Sequence, residues 1–136
     1  MACQDNLFYS NYQTIKEKGW GGQDTLTYII PEVEDTTKLN VNIGIRVWHN
    51  YQYTNLVLVA KLYEDNKCLS SDIVDFSLYD KADMSTGSGF PLVEYQEELE
   101  HKYTLKPSHK YTVKIAHRML LDPLPRVSNV GISLNK

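Results

Sequence analysis

From Leu39 the chain alternates apolar and polar residues with a period of two. Leu39, Val41, Ile43, Ile45 and Val47 fall on one side, and Asn40, Asn42, Gly44, Arg46 and Trp48 on the other. Successive side chains of an extended strand point to opposite faces, so this run predicts a strand with one face in a core. Thr25 to Ile30 alternates likewise and stops at Pro31, a residue that cannot donate to a ladder. Leu56 to Tyr63 begins apolar on both faces, as a central strand does. Ile73–Tyr79 turns Val74, Phe76 and Leu78 inward, and Leu99–Leu105 forms a further strand. Tyr111–Met119 places Tyr111, Val113 and Ile115 on one side, and Asn129–Leu134 turns Val130, Ile132 and Leu134 inward.

Turn chemistry separates these runs: Gly19 with Gly21-Gly22, Pro31, Glu64-Asp65-Asn66, Gly87 and Gly89, Pro107, and Pro123 with Pro125. No three-turn apolar stripe marks a helix; Tyr9–Lys18 offers a turn or two after Ser10 or Asn11. Seven or eight short strands with frequent turns predict an all-β fold, an antiparallel β-sandwich with the jelly roll as its candidate topology.

A length of 136 residues suits one domain and can bury roughly two-thirds of its extended surface without disulfides or metal. Residues 1–8 read as a tether and 9–136 as the sandwich. With 14 Lys and Arg against 17 Asp and Glu, the net charge is -3 and no basic run occurs. That balance speaks against nucleic acid as a partner. No apolar stretch approaches the ~20 residues that span a bilayer as a helix.

Two cysteines are too few for a secreted disulfide framework. Cys68 reads as a lone thiol at a strand start. Cys3 follows Ala2 and precedes the polar Gln4-Asp5-Asn6, like the end of a bacterial lipobox with its lipidated cysteine and tether. On that reading Cys3 carries acyl chains, each buried CH₂ adding ~0.8 kcal/mol of membrane affinity. The plain alternative is an ordinary N-terminal residue.

Catalytic signals are weak throughout. Ser70, Ser71, Ser85 and Ser88 lie in polar turns without a Gly-x-Ser-x-Gly elbow. His49, His101, His109 and His117 show no metal-ligand spacing, and Asp80-Lys81-Ala82-Asp83 is only a fragment of a calcium loop. Glu97, Glu98 and Glu100 read as a solvated face. No enzyme activity, metal or cofactor is expected.

One segment is dense in recognition chemistry. Arg46, Trp48, His49, Tyr51, Tyr53 and Asn55 fall within one strand-to-strand connection, and loops at the end of a rigid sandwich commonly carry binding groups. Aromatic faces beside fixed amide and guanidinium donors suit peptide or sugar recognition. The competing reading packs the rings over the end of the sandwich and uses Asn50 and Asn55 in turns. Trp20, between glycines, has the same two readings. His117 reads as a satisfied edge histidine.

Gly19-Trp20, Asn42-Ile43-Gly44-Ile45-Arg46, Tyr51-Gln52-Tyr53-Thr54-Asn55-Leu56, Tyr111-Thr112-Val113-Lys114-Ile115-Ala116-His117-Arg118-Met119 and Val130-Gly131-Ile132 occur in this order. Together they resemble the gliding-motility lipoprotein family GldH, along nearly the whole chain from about Asp5 to Lys136. Two loops depart from the family pattern. Met84-Ser85-Thr86-Gly87-Ser88-Gly89 keeps the glycines of a Trp-x-Gly-x-Gly loop without its Trp, and Leu124-Pro125-Arg126-Val127 replaces a Leu-x-Gly-Ile stretch. The resemblance implies a non-enzymatic lipoprotein of the bacterial cell envelope, anchored in the membrane through Cys3 and working with envelope protein partners. It favours a periplasm-facing position over the cell surface, since the tether holds a single acidic residue. The alternative function is a carbohydrate-binding module, with a glycan stacked on Trp20, Trp48 or Tyr51.

Overall fold

Nine antiparallel strands make up the described part of the chain, which in this computed structural model comprises residues 6–79 and 85–136. Cys3, Asp80-Lys81-Ala82-Asp83 and Met84 lie outside the described residues. The strands are β1 (Leu7–Thr14), β2 (Leu26–Ile30), β3 (Thr37–Trp48), β4 (Asn55–Glu64), β5 (Lys67–Ser77), β6 (Leu92–Glu98), β7 (Tyr103–Leu105), β8 (Tyr111–His117) and β9 (Val127–Asn135). One sheet has the order β1-β9-β3-β6, with β7 also pairing with β3, and the other has the order β2-β8-β4-β5. The first strand pairs with the last and the second with the last but one. This nesting is the jelly-roll order.

The alternating runs do what their period dictates. Leu39, Val41, Ile43, Ile45 and Val47 of β3 are all buried, facing Leu56, Leu58, Leu62, Val113 and Ile115 in one continuous core. β4 lies inside its sheet between β8 and β5, which explains its apolar start. Asp65 and Asn66 close the β4–β5 hairpin with φ of 50° and 70°, the left-handed pair that a two-residue hairpin requires. Beside that turn His109 Nδ1 meets Asp65 Oδ2. The hydrogen bond lowers the Asp65 carboxyl and raises the His109 imidazole from their ordinary values.

Three expectations are corrected. Tyr9–Lys18 holds no helical turn: it supplies most of β1, which begins at Leu7, two residues inside the stretch read as a tether. Its core-side positions, opposite buried Leu134, Ile132 and Val130, are Tyr9, Asn11 and Gln13. Gln13 Nε2 donates across to Thr27 O of β2 at 2.6 Å. A strand at a sheet edge with two amides, Asn11 and Gln13, among its inward residues shows no apolar alternation. The strand expected at Leu99–Leu105 is only Tyr103–Leu105, and β6 precedes it at Leu92–Glu98. β6 puts the exposed Glu97 at an inward register, opposite Ile43, a charge of the kind that protects edge strands from foreign pairing. β5 starts at Lys67 instead of Ile73 because its first inward positions are Ser70 and Asp72, opposite Leu62 and Ala60.

Candidate functional site

The strand directions sort the connections into two ends. Leu7 pairs with Asn135, and Asn40 with the same Asn135, so the start of β1 lies at one end. At the other end gather the connections 15–25, 49–54 and 118–126, with residues 78–79 and 85–91 of the β5–β6 connection. The eight-residue advance along β3 from Asn40 to Trp48 sets the ends about 26 Å apart, at ~3.3 Å per residue.

Trp20 organises this loop end. Gly19, at φ 110°, turns the chain so that Trp20 exchanges two backbone hydrogen bonds with Leu124, each 2.8 Å. The indole is 1% exposed, donates from Nε1 to Asp24 O at 2.8 Å, and stands edge-on to His117 with centroids 5.2 Å apart. His117 Nε2 lies 2.8 Å from Trp20 O, and the Met119 N–H donates to His117 Nδ1 at 3.1 Å. A carbonyl can only accept, so Nε2 bears the proton and Nδ1 is the acceptor. Both nitrogens are occupied, which makes His117 a structural brace between two loops.

The other residues of the aromatic segment divide between core and surface. Tyr51 is 6% exposed and its hydroxyl donates to Asn55 O at 3.0 Å. Burial raises its phenol, and Tyr53 adds to the shift. Tyr53 packs edge-on against Tyr51, centroids 5.7 Å apart, and is half-buried. Asn55 opens β4 and donates from Nδ2 to Asp75 Oδ1 at 3.4 Å. Trp20 and Tyr51 therefore offer no ring face to a sugar, a correction to their reading as stacking platforms: each is placed where its polar atom caps a loop and its ring fills the sandwich end.

Trp48 and His49 face solvent. Trp48 is 41% exposed and lines a depression of about 620 Å³ with Ile15, Lys16, Gln52, Pro125 and Arg126. Its backbone N–H donates to Arg126 O at 2.9 Å, which ties it to the 118–126 connection. The His49 ring lies 4.7 Å from that of Phe90, which is 77% exposed. Leu120 and Leu121 are also exposed. Sequence reading missed Phe90, Leu120 and Leu121, because an isolated apolar residue in a loop carries no periodic signal.

Arg46 belongs elsewhere, on the outer face of the β1-β9-β3-β6 sheet. Its guanidinium lies 4.1 Å from the centre of the Tyr12 ring and its Nε 3.7 Å from Glu94 Oε1. Tyr12 donates to Glu94 Oε2 at 3.2 Å. Burial and the Glu94 carboxylate push the Tyr12 phenol up to about 12, so it remains a donor. The ring lies on Gly44 and Gly131, which pair across β3 and β9; a Cβ on either would fall within it. Among the described residues, no group of three or more His, Cys, Asp or Glu is placed to hold a metal ion.

The family profile described as GldH lipoprotein matches residues 7–134. This chain belongs to the GldH lipoprotein family. The gliding motility lipoprotein GldH of Flavobacterium johnsoniae is 22% identical over 106 residues, which cover 74% of this chain and 66% of that protein. Membership in a lipoprotein family implies lipid anchoring at the bacterial cell envelope. Among solved structures, a CocE/NonD family hydrolase from Staphylococcus aureus aligns with TM-score 0.45 and 10% identity over 96% of this chain and 31% of its own. A family 35 carbohydrate binding module from Clostridium thermocellum aligns with TM-score 0.37 and 10% identity over 90% of this chain and 97% of its own. At these scores neither likeness bears on what the GldH-family chain does.

Proposed function

We propose that this GldH-family chain is a non-enzymatic lipoprotein whose loop end docks protein partners within an envelope complex. The carrying observation is the placement of half-exposed Trp48 and exposed Phe90 and Leu120 at the end away from Leu7. Leu7, four residues after Cys3 in the sequence, starts β1 at the opposite end, so an anchor on Cys3 attaches ahead of the end that lacks these side chains. Multiple acylation of Cys3 is the physically adequate anchor, since one acyl chain binds membranes only marginally. The short tether, with Asp5 as its one acid, supports a periplasm-facing position.

The test is affinity capture from membranes with the wild type and a Trp48→Ala, Phe90→Ala double variant. Neither ring belongs to the buried core, so the variant keeps its unfolding midpoint and loses the partners. Recovery of the wild-type partners at full yield would sink the reading. In the precursor, Cys3→Ser shifts the protein out of the membrane fraction, and persistence there refutes lipidation at this residue.

A second reading, carbohydrate binding, keeps only Trp48 as a platform, beside Gln52 and Arg126 at the 620 Å³ depression. A glycan array separates the two: a sugar bound by the wild type and lost in Trp48→Ala replaces protein docking as the role of this end.

A further inference from the structure

The outer face of the β2-β8-β4-β5 sheet holds cations that form no ion pair among the described residues. Register places Thr27, Lys114, Lys61 and Ser71 side by side across the four strands. Lys114 and Lys61 are directly opposed, an arrangement that costs stability between like charges. Arg118 follows four residues beyond Lys114, about 13 Å further along the strand direction at ~3.3 Å per residue. Among the described residues no carboxylate lies within ion-pair distance of any of the three; the ion pairs are Arg46–Glu94 and His109–Asp65. Asp122 Oδ1 accepts from the Gly22 N–H at 2.9 Å and Asp75 Oδ1 from Asn55 Nδ2; both keep their charge, and neither forms an ion pair with the three cations. In a chain with three more acidic than basic side chains, an uncompensated basic row is a built asymmetry.

The shape of the face selects among anions. Lys61, Lys114 and Arg118 line a depression of about 520 Å³ with Tyr63, Thr25, Thr27 and the small Ala116 and Gly22. That volume lies in the ~300–1,000 Å³ range of ligand sites. Lys114 Nζ is 4.9 Å from the Tyr63 ring centre, so its ammonium is held over the sheet by the ring. The groove lies between the edge strands β2 and β5, whose Ile29 and Ile73 are exposed on the same face. A narrow chain lying along the strands reaches both positive stations and finds threonine hydroxyls beside them. We propose that this groove binds an acidic polysaccharide, with carboxylates against Lys61–Lys114 and Arg118. The groove runs from the sheet face to the loop end at Gly22, Thr25 and Arg118, but it uses none of Trp48, Phe90 and Leu120, so the proposal stands independently of the docking reading.

Polygalacturonate is the probe, in affinity electrophoresis and titration of the full chain in low-salt buffer. The expected result is retardation by polygalacturonate, none by neutral galactan, and weakening as salt rises. A Lys61→Gln, Lys114→Gln variant loses about tenfold or more in affinity, equivalent to ~1.4 kcal/mol, while its unfolding midpoint stays the same or rises as the like-charge pair is removed. Three outcomes each overturn it: no retardation of the wild type, equal retardation of the double variant, or equal binding of neutral galactan. Vesicles of phosphatidylglycerol provide the remaining arm. Binding to them without binding to polygalacturonate makes the face a membrane contact and also overturns the sugar assignment.

Discussion

Replacing Trp20 with Ala lowers the free energy of unfolding by about 3–5 kcal/mol, the usual cost of truncating a buried large aromatic. Several losses coincide at this position. The ring is almost fully buried, its N–H is the donor to Asp24 O, and its edge-on contact orients His117. The cavity opens beside two loop connections with little means of collapse, so the upper half of the range is expected. Against a total of ~5–15 kcal/mol for a typical domain, this is a large fraction. Urea unfolding followed by circular dichroism measures it, and a loss under about 1 kcal/mol would show that Trp20 does not organise the loop end. Trp20→Phe restores most of the packing but leaves Asp24 O without its donor, so it falls between the two. Amide exchange at Leu124, whose N–H donates to Trp20 O, should accelerate in Trp20→Ala more than exchange in the middle of β3. The defect is local to the loop end before it is global.

Gly131→Ala is the second large effect, about 1–3 kcal/mol of destabilisation from overpacking. The backbone there does not demand glycine, since Gly19 and Gly89 are the glycines at positive φ. What excludes a methyl group is the Tyr12 ring lying on the strand. The cost therefore depends on Tyr12. With Tyr12→Ala already present, Gly131→Ala becomes neutral or stabilising by up to ~1 kcal/mol, because glycine weakens a strand interior relative to alanine. A double-mutant cycle from denaturant titrations reads this change of sign. Equal costs in both backgrounds would mean the ring does not occupy the groove. The same experiment reports on Arg46, whose guanidinium rests over that ring.

The parts of the fold legible in the sequence were those in which one side chain in two had no choice but the core. β3 and β9 carry unbroken inward aliphatics and β8 turns Tyr111, Val113 and Ile115 inward, each legible from its alternation; β4 was legible as a central strand without an inward set being assigned. β1 and β6 escaped because edge strands place Asn11, Gln13 and Glu97 at inward registers. There the alternation that marks a strand is absent by construction. The jelly-roll order was available only as a candidate, since hydrophobic period says which face is buried and nothing of which neighbour covers it.

The candidate site was legible only as a segment. Trp48, His49, Tyr51 and Tyr53 are close in sequence, yet Tyr51 turns into the core and Trp48 out of it, a division set by the turn between β3 and β4. Composition cannot tell a ring that seals a sandwich end from one that receives a partner. Nor could it pair Lys61 with Lys114, which are 53 positions apart and meet through the β4–β8 register.

The pairing of β1 with β9 has a mechanical consequence. Its seven matched positions, from Leu7–Asn135 to Thr14–Asn129, are joined by hydrogen bonds that run across the strands. A pull between Leu7 and the 49–54 loop runs parallel to the strands, so these bonds are loaded together in shear. A pull between Leu7 and Lys136, which leave the same end, loads the bonds one after another, like a zipper. Single-molecule stretching should therefore show a higher rupture force in the first geometry than in the second. A protein tethered at its start and tugged at its far loops is held in its stiffer direction.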